Sequence, residues 1–197
     1  MNSKTIYFLL AFLTVISVPA VLILNRTSPE NTEPAKIVSP NKLVYSDEQF
    51  ILGMVPHHQE AIDSSNELLA IATDPDVRAV AQDIITAQID EVSSMKDWYT
   101  EWYQKDYRDD GKYKLMMRSP QGLTARQAEA EYVSDMIGHH EHAVLMAQDL
   151  LSFSNRPELR LLSENVIATQ TTEILSLKTM LAEKFGQTPA VIDHSQH

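Results

Sequence analysis

One segment of this chain is written twice. At a constant shift of 82 positions, the separation of Met54 from Met136, His57 meets His139, His58 meets His140 and Ala61 meets Ala143. The match runs on without a gap. Leu68-Leu69 meets Leu150-Leu151, Pro75 meets Pro157, Arg78 meets Arg160, Gln88 meets Gln170, Glu91 meets Glu173 and Lys96 meets Lys178. A repeat of this kind marks a supersecondary unit that cannot bury its apolar face alone and does so against its copy. The fold must therefore be built from two like halves.

Inside each half the pattern is helical. Phe50, Met54, His57, Ala61, Ser64 and Leu68 recur at steps of three and four, as do Tyr132, Met136, His139, Ala143, Met146 and Leu150. A second stripe runs through Val77, Ala81, Ile84, Gln88, Glu91, Met95 and Trp98, matched by Leu159, Ser163, Val166, Gln170, Glu173, Leu177 and Met180. Such stripes predict amphipathic helices packed face to face. Ser46-x-x-Gln49 and Thr124-x-x-Gln127 read as capping boxes. Asp74-Pro75 reads as an N-cap with a first-turn proline, and Pro157 takes the same role; Gly186 and Pro189 end the last helix. Helices are expected near 46–72, 75–104, 124–154 and 157–185, with no strand. The fold class is thus all-α, a four-helix bundle of two duplicated αα-hairpins over 46–185. The join at 105–123 spans about 60 Å when extended. That is enough for a crossover along the bundle, and equally for a plain long loop. With both hairpin turns at one end the two His-His levels coincide; with turns at opposite ends they separate.

The flanks carry targeting signals. Lys4 precedes an uncharged stretch, Thr5 to Leu24, and about 20 apolar residues match a ~30 Å hydrocarbon core. Residues 1–24 are expected to form a transmembrane anchor with Lys4 on the cytoplasmic side. Val18-Pro19-Ala20 leaves a cleaved signal peptide as the alternative; both readings export the domain. Residues 25–45, rich in Pro, Ser, Thr and Asn, read as a flexible linker. Residues 186–197, with His194 and His197, read as a flexible tail.

Each apolar stripe is broken at mid-length by polar residues on its buried face, where an uncompensated polar group costs several kcal/mol. Counted from the turn near Asp74, His57 and Glu91 both lie about 25 Å away. His57 is therefore expected to face Glu91, Met54 to lie near Met95, and His139 to face Glu173. Met54, His57 and His58 share a face at i, i+3 and i+4; His142 and Met146 continue it in the second half only. Pro56 and Gly138 precede the two histidine pairs. They are expected to bend or loosen the helices so that adjacent imidazoles, ~100° apart on an ideal helix, both point inward.

The absence of cysteine excludes disulfides, zinc ribbons and iron–sulfur clusters, so any soft sulfur ligand comes from the eight methionines. A net charge of −11 disfavours nucleic acid and favours cations. Imidazole with thioether in an exported chain points to copper as Cu(I), and by the same softness to Ag(I). The donors at this level are His57, His58, His139, His140, Met54, Met95, Met136, Glu91 and Glu173, with His142 and Met146 as additions. The carboxylates, with Gln88 and Gln170, are suited to orienting ring N–H groups.

The motif Met-hydrophobic-x-His-His-x-x-Ala, present twice and each time followed by a helix with Gln-x-x-Glu, resembles a ferritin-like family catalogued as a domain of unknown function. Some members of that family are exported copper-binding proteins. The resemblance covers residues 46–182. It implies a ferritin-like bundle and singles out Met54, His57, His58, Met136, His139 and His140 as metal ligands. Leu177, where the first half has Met95, departs from the internal symmetry. The expected function is a membrane-tethered, extracytoplasmic copper-binding protein that sequesters or hands over Cu(I) without catalysis. Its expected partners are metal ions and, through the N-terminal helix, a membrane; the sequence names no delivery partner. Two alternatives stand beside it: a di-iron or di-manganese oxidase, and a metal-free interaction module at the membrane surface.

Overall fold

The computed structural model describes residues 41–189. The expected anchor at 1–24, most of the linker, and His194 and His197 lie outside the described residues. Among those described there are four helices and no strand: α1 (Asp47–Leu69), α2 (Pro75–Tyr103), α3 (Ala125–Leu151) and α4 (Pro157–Phe185). None of the four is long and apolar enough to cross a membrane.

The helix starts follow from local chemistry. Thr124 and Gln127 form a reciprocal capping box at α3. At α1, Ser46 Oγ accepts from Gln49 N at 3.1 Å, but Gln49 Oε1 accepts from Tyr45 N rather than from Ser46 N. Asp74 caps α2 through Asp76 N and Val77 N, ahead of Pro75. Pro157 opens α4, but Arg156 supplies no side-chain cap there; its guanidinium reaches Asp47 at 3.2 Å instead. The repeat also recurs at the atomic level. Arg78 Nη1 donates to Leu69 O and Ala72 O at 2.7 and 2.8 Å. Arg160 Nη1 donates to the repeat-equivalent Leu151 O and Ser154 O, both at 3.0 Å. Each arginine holds the last carbonyl of the helix before it and one carbonyl of the turn that follows.

α1 packs on α2, α3 packs on α4, and the hairpins meet along α1 and α3. These two helices run antiparallel. Ser65 Oγ meets Tyr132 OH at 2.7 Å, Glu60 meets His139, and Gly53 lies against Met146, so rising numbers in one match falling numbers in the other. The hairpin turns therefore sit at opposite ends. Thr73 N and Asp74 N donate to Glu129 Oε1 of α3 at 2.6 and 2.8 Å, while the second turn lies beside the start of α1. The two His-His levels nonetheless coincide, contrary to the sequence expectation for this arrangement. Both pairs lie near mid-helix, and reversing a helix about its midpoint leaves its midpoint level.

Because α2 and α3 run the same way, residues 104–124 travel the length of the molecule between them. The aromatic residues at the end of α2 and the start of this segment, Trp98, Trp102, Tyr103 and Tyr107, all lie against the buried apolar cluster at that end. The core itself falls into two clusters. One holds Phe50, Ile51, Met54, Met95, Met146, Leu150 and Leu159; the other holds Leu68, Ile84, Met136, Ile137, Leu177 and Leu181. Each large side chain fully buried here contributes about 1.5–3 kcal/mol. Polar residues form the layer between the two.

Candidate metal centre

That layer contains His57, His58, His139 and His140, all with no exposed surface. His57 and His139 stack across the α1–α3 interface, with ring centroids 3.7 Å apart and planes tilted by 32°. His58 turns the other way, toward its own hairpin, with Nε2 2.8 Å from Glu91 Oε2. His140 repeats this with Glu173, also at 2.8 Å. Adjacent imidazoles ~100° apart thus point at two different neighbours. α1 and α3 are each packed on two sides, so an ideal helix buries both rings. No bend at Pro56 or Gly138 is needed to bring them inward, and α1 runs unbroken through Pro56.

The pairing differs by one residue from the expected His57–Glu91 and His139–Glu173. A count from the turn fixes level, but one residue moves the level by only 1.5 Å while rotating the face by ~100°. His139 instead meets Glu60, Nε2 to Oε2 at 3.2 Å. None of these three imidazole–carboxylate contacts is aligned along a ring N–H, so each is a close approach of polar groups and not a well-directed hydrogen bond.

Glu60 was not among the residues singled out from sequence. It is 6% exposed and accepts from Tyr113 OH at 2.5 Å, Met116 N at 2.8 Å and Met117 N at 2.9 Å. Burial alone would raise its carboxyl, but His139, Tyr113 and the Met117 amide hold it below the usual range. The crossover is thereby fastened at mid-length onto the histidine layer. Tyr113 also sets its ring edge-on to His57, with centroids 5.8 Å apart. The repeat itself carried a signal for this position, since the shift of 82 pairs Glu60 with His142.

Burial depresses the His57 pKa well below 6.5, and His139, His142, His58 and His140 push it further down. His139 falls to about 4, again through burial, with Glu60 opposing. Both are neutral at pH 7, the form with a lone pair for a metal. Both ring nitrogens of His57 lack a hydrogen-bond partner among the described residues. Met54, Met95 and Met136 are fully buried in the flanking clusters, and Met146 is 4% exposed. Gln88 and Gln170, also buried, leave Oε1 without a hydrogen-bond partner. Among the described residues, no three His, Asp or Glu side chains are already gathered as a cage for one ion.

Residues 47–181 match the family model described as Domain of unknown function (DUF305). The chain belongs to the DUF305 family. Among solved structures it is similar to CopM in the Cu(I)-bound form, with 31% identity and a TM-score of 0.65 over 73% of this chain and 100% of that one. CopM is also known in a Cu(II)-bound and an Ag-bound form. The protein described as "putative secreted protein DUF305 from Streptomyces coelicolor" is similar at 25% identity, with a TM-score of 0.66 over 74% of this chain and 97% of that one. The uncharacterized protein L153 of Acanthamoeba polyphaga mimivirus is 39% identical over 49 residues, which cover 25% of this chain. The match spans about a third (32%) of that curated relative's length.

This DUF305 chain therefore brings most of its candidate donors together in one layer, but not as two equal sets. Glu91 and Glu173 hold His58 and His140, leaving His57 and His139 at the centre. Met54, Met95 and Met146 lie on one side of the layer, and Met136 with Leu177 on the other.

Proposed function

We propose that this DUF305 protein binds copper as Cu(I), and Ag(I) by the same chemistry, in the histidine layer, and sequesters it or hands it on outside the cytoplasm. The chain is read as tethered to the membrane by residues 1–24, with a ferritin-like bundle, one crossover joining two hairpins. Met54, His57, His58, Met136, His139 and His140 are the candidate ligands. The observation that carries the reading is His57: a fully buried, neutral imidazole with neither nitrogen hydrogen-bonded, beside thioether-rich core. The likeness to CopM, solved with Cu(I), Cu(II) and Ag, supports it. The similarity to a family member described as secreted supports the extracytoplasmic location.

The protein is proposed to act without catalysis. A di-iron oxidase uses bridging carboxylates and a Glu-x-x-His motif. The carboxylate deepest in this layer, Glu60, is instead taken up by Tyr113 and two backbone amides. The metal-free hydrogen-bond network is less favoured because no described protein group donates to or accepts from either nitrogen of His57.

The test is titration of the full chain, in detergent, with Cu(I), Ag(I), Zn(II) and Fe(II). Saturable Cu(I) and Ag(I) binding that weakens in His57→Ala and His139→Ala is the expected result. Iron binding with oxygen uptake would move the assignment to the oxidase. No binding of any ion, with both variants merely less stable, would leave the layer a structural network.

A further inference from the structure

The duplication predicts two equivalent metal positions related by the symmetry of the hairpins, yet the donors are distributed unevenly. At the repeat-equivalent positions His142 stands for Glu60, Met146 for Ser64, Met95 for Leu177, and Gly53 for Asp135. All the softer donors at these positions belong to one side. There the His142 ring lies 5.3 Å from the His57 ring, centroid to centroid. One turn on, Met146 reaches Gly53, where a Cβ atom would stand 2.9 Å from its Cε. The missing side chain at Gly53 is what admits the thioether beside α1.

This side also opens outward. A cleft of about 430 Å³ has His142 and Met146 among its lining residues, with Tyr45, Gln49, Gly53 and Tyr113 around them. The opposite side is shut. Glu60 is filled by the crossover, and Asp135 is paired with Arg118 at 2.8 Å. We infer that the soft-cation site is single and one-sided: His57, His142 and Met146 hold one Cu(I) or Ag(I) ion at the floor of this cleft, and the cleft is its route in and out. The inference rests on the proposed copper-binding role; of the six candidate ligands it keeps His57, replaces the other five with His142 and Met146, and assigns the entrance.

The full chain in detergent is titrated with Ag(I) by calorimetry and with Cu(I) by competition against a chromogenic chelator. Three variants accompany the wild type. Met146→Leu keeps volume and removes sulfur. Gly53→Ala favours the helix while crowding the thioether tip. Met180→Leu removes a half-buried methionine packed against the other core cluster, away from the cleft. Wild type is expected to bind one equivalent. Met146→Leu and Gly53→Ala are expected to lose roughly 10- to 100-fold in affinity, with unchanged helical circular dichroism. Met180→Leu is expected to stay within about threefold of wild type. Two equal equivalents in wild type, or wild-type affinity in Met146→Leu, overturns the one-sided site while leaving copper binding intact. Absence of binding in wild type overturns the copper-binding role itself.

Discussion

A carboxylate is tolerated in a protein interior when its lone pairs are filled. Glu60 fills them with a hydroxyl and two amides from a segment more than 50 residues away, and meets His139 besides. Removing it leaves two buried-facing N–H groups and a phenol without acceptors. Glu60→Ala is therefore expected to lower unfolding stability by about 2–4 kcal/mol, and Tyr113→Phe, which removes one bond only, by about 1 kcal/mol. Urea denaturation measures both through the midpoint, provided the slope is unchanged. A Glu60→Ala midpoint equal to wild type would mean that the crossover is not fastened at this residue. Nothing in the sequence around Glu60 advertised its role, because its partners lie in the join, where no periodicity applies. Only its replacement by His142 in the second copy set it apart.

At the scale of the helix, starts were more legible than ends. Ser46, Asp74-Pro75 and Thr124 act within three residues of the boundary they set, so a local reading finds them. The expected ends at 72 and 154 overshot Leu69 and Leu151 by a few residues. Those ends are held by Arg78 and Arg160, which belong to the following helix. The same limit explains the one-residue error in histidine pairing: separation along the chain encodes level, and only packing decides the face. The two arginine clamps yield a matched prediction. Arg78→Ala and Arg160→Ala are each expected to cost about 1 kcal/mol, since each removes two bonds to carbonyls that water can partly replace. The clamps sit at opposite ends of the molecule, so the double variant should equal the sum within about 0.5 kcal/mol. Thermal unfolding of the single and double variants measures this. A large non-additive term would show that the two turns are coupled through the bundle.

For the whole molecule, the decisive feature is that two hairpins meet head to tail at a layer of buried imidazoles with the neutral rings of His57 and His139 at its centre. The repeat made two like hairpins legible, but their antiparallel meeting depends on contacts between halves that no local pattern encodes. That layer makes stability depend on pH in a definite direction. His57 and His139 have pKa values below 6.5 in the folded state, His139 at about 4. In an unfolded chain both titrate near 6.5. Between those limits the unfolded state binds more protons, so stability rises with pH in this window and is lost as pH falls from about 6.5 toward 4. The carboxyl of Glu60, also depressed, adds a further loss only below about 4.5. The metal-free protein is thus expected to hold a nearly constant melting temperature above about pH 7 and to lose on the order of 3 kcal/mol by pH 4.5 through His139 alone, with His57 adding to that loss. Replacing His57 by Gln should flatten this slope. Bound Cu(I) or Ag(I) should raise the melting temperature at pH 7 and do so progressively less in acid, as protons compete for the imidazole lone pairs. Differential scanning calorimetry from pH 4.5 to 8, with and without Ag(I), tests the whole set. Stability that increases on acidification through pH 6 would mean that the buried imidazoles are charged in the folded protein, and a layer of charged imidazoles has no lone pairs to offer a metal.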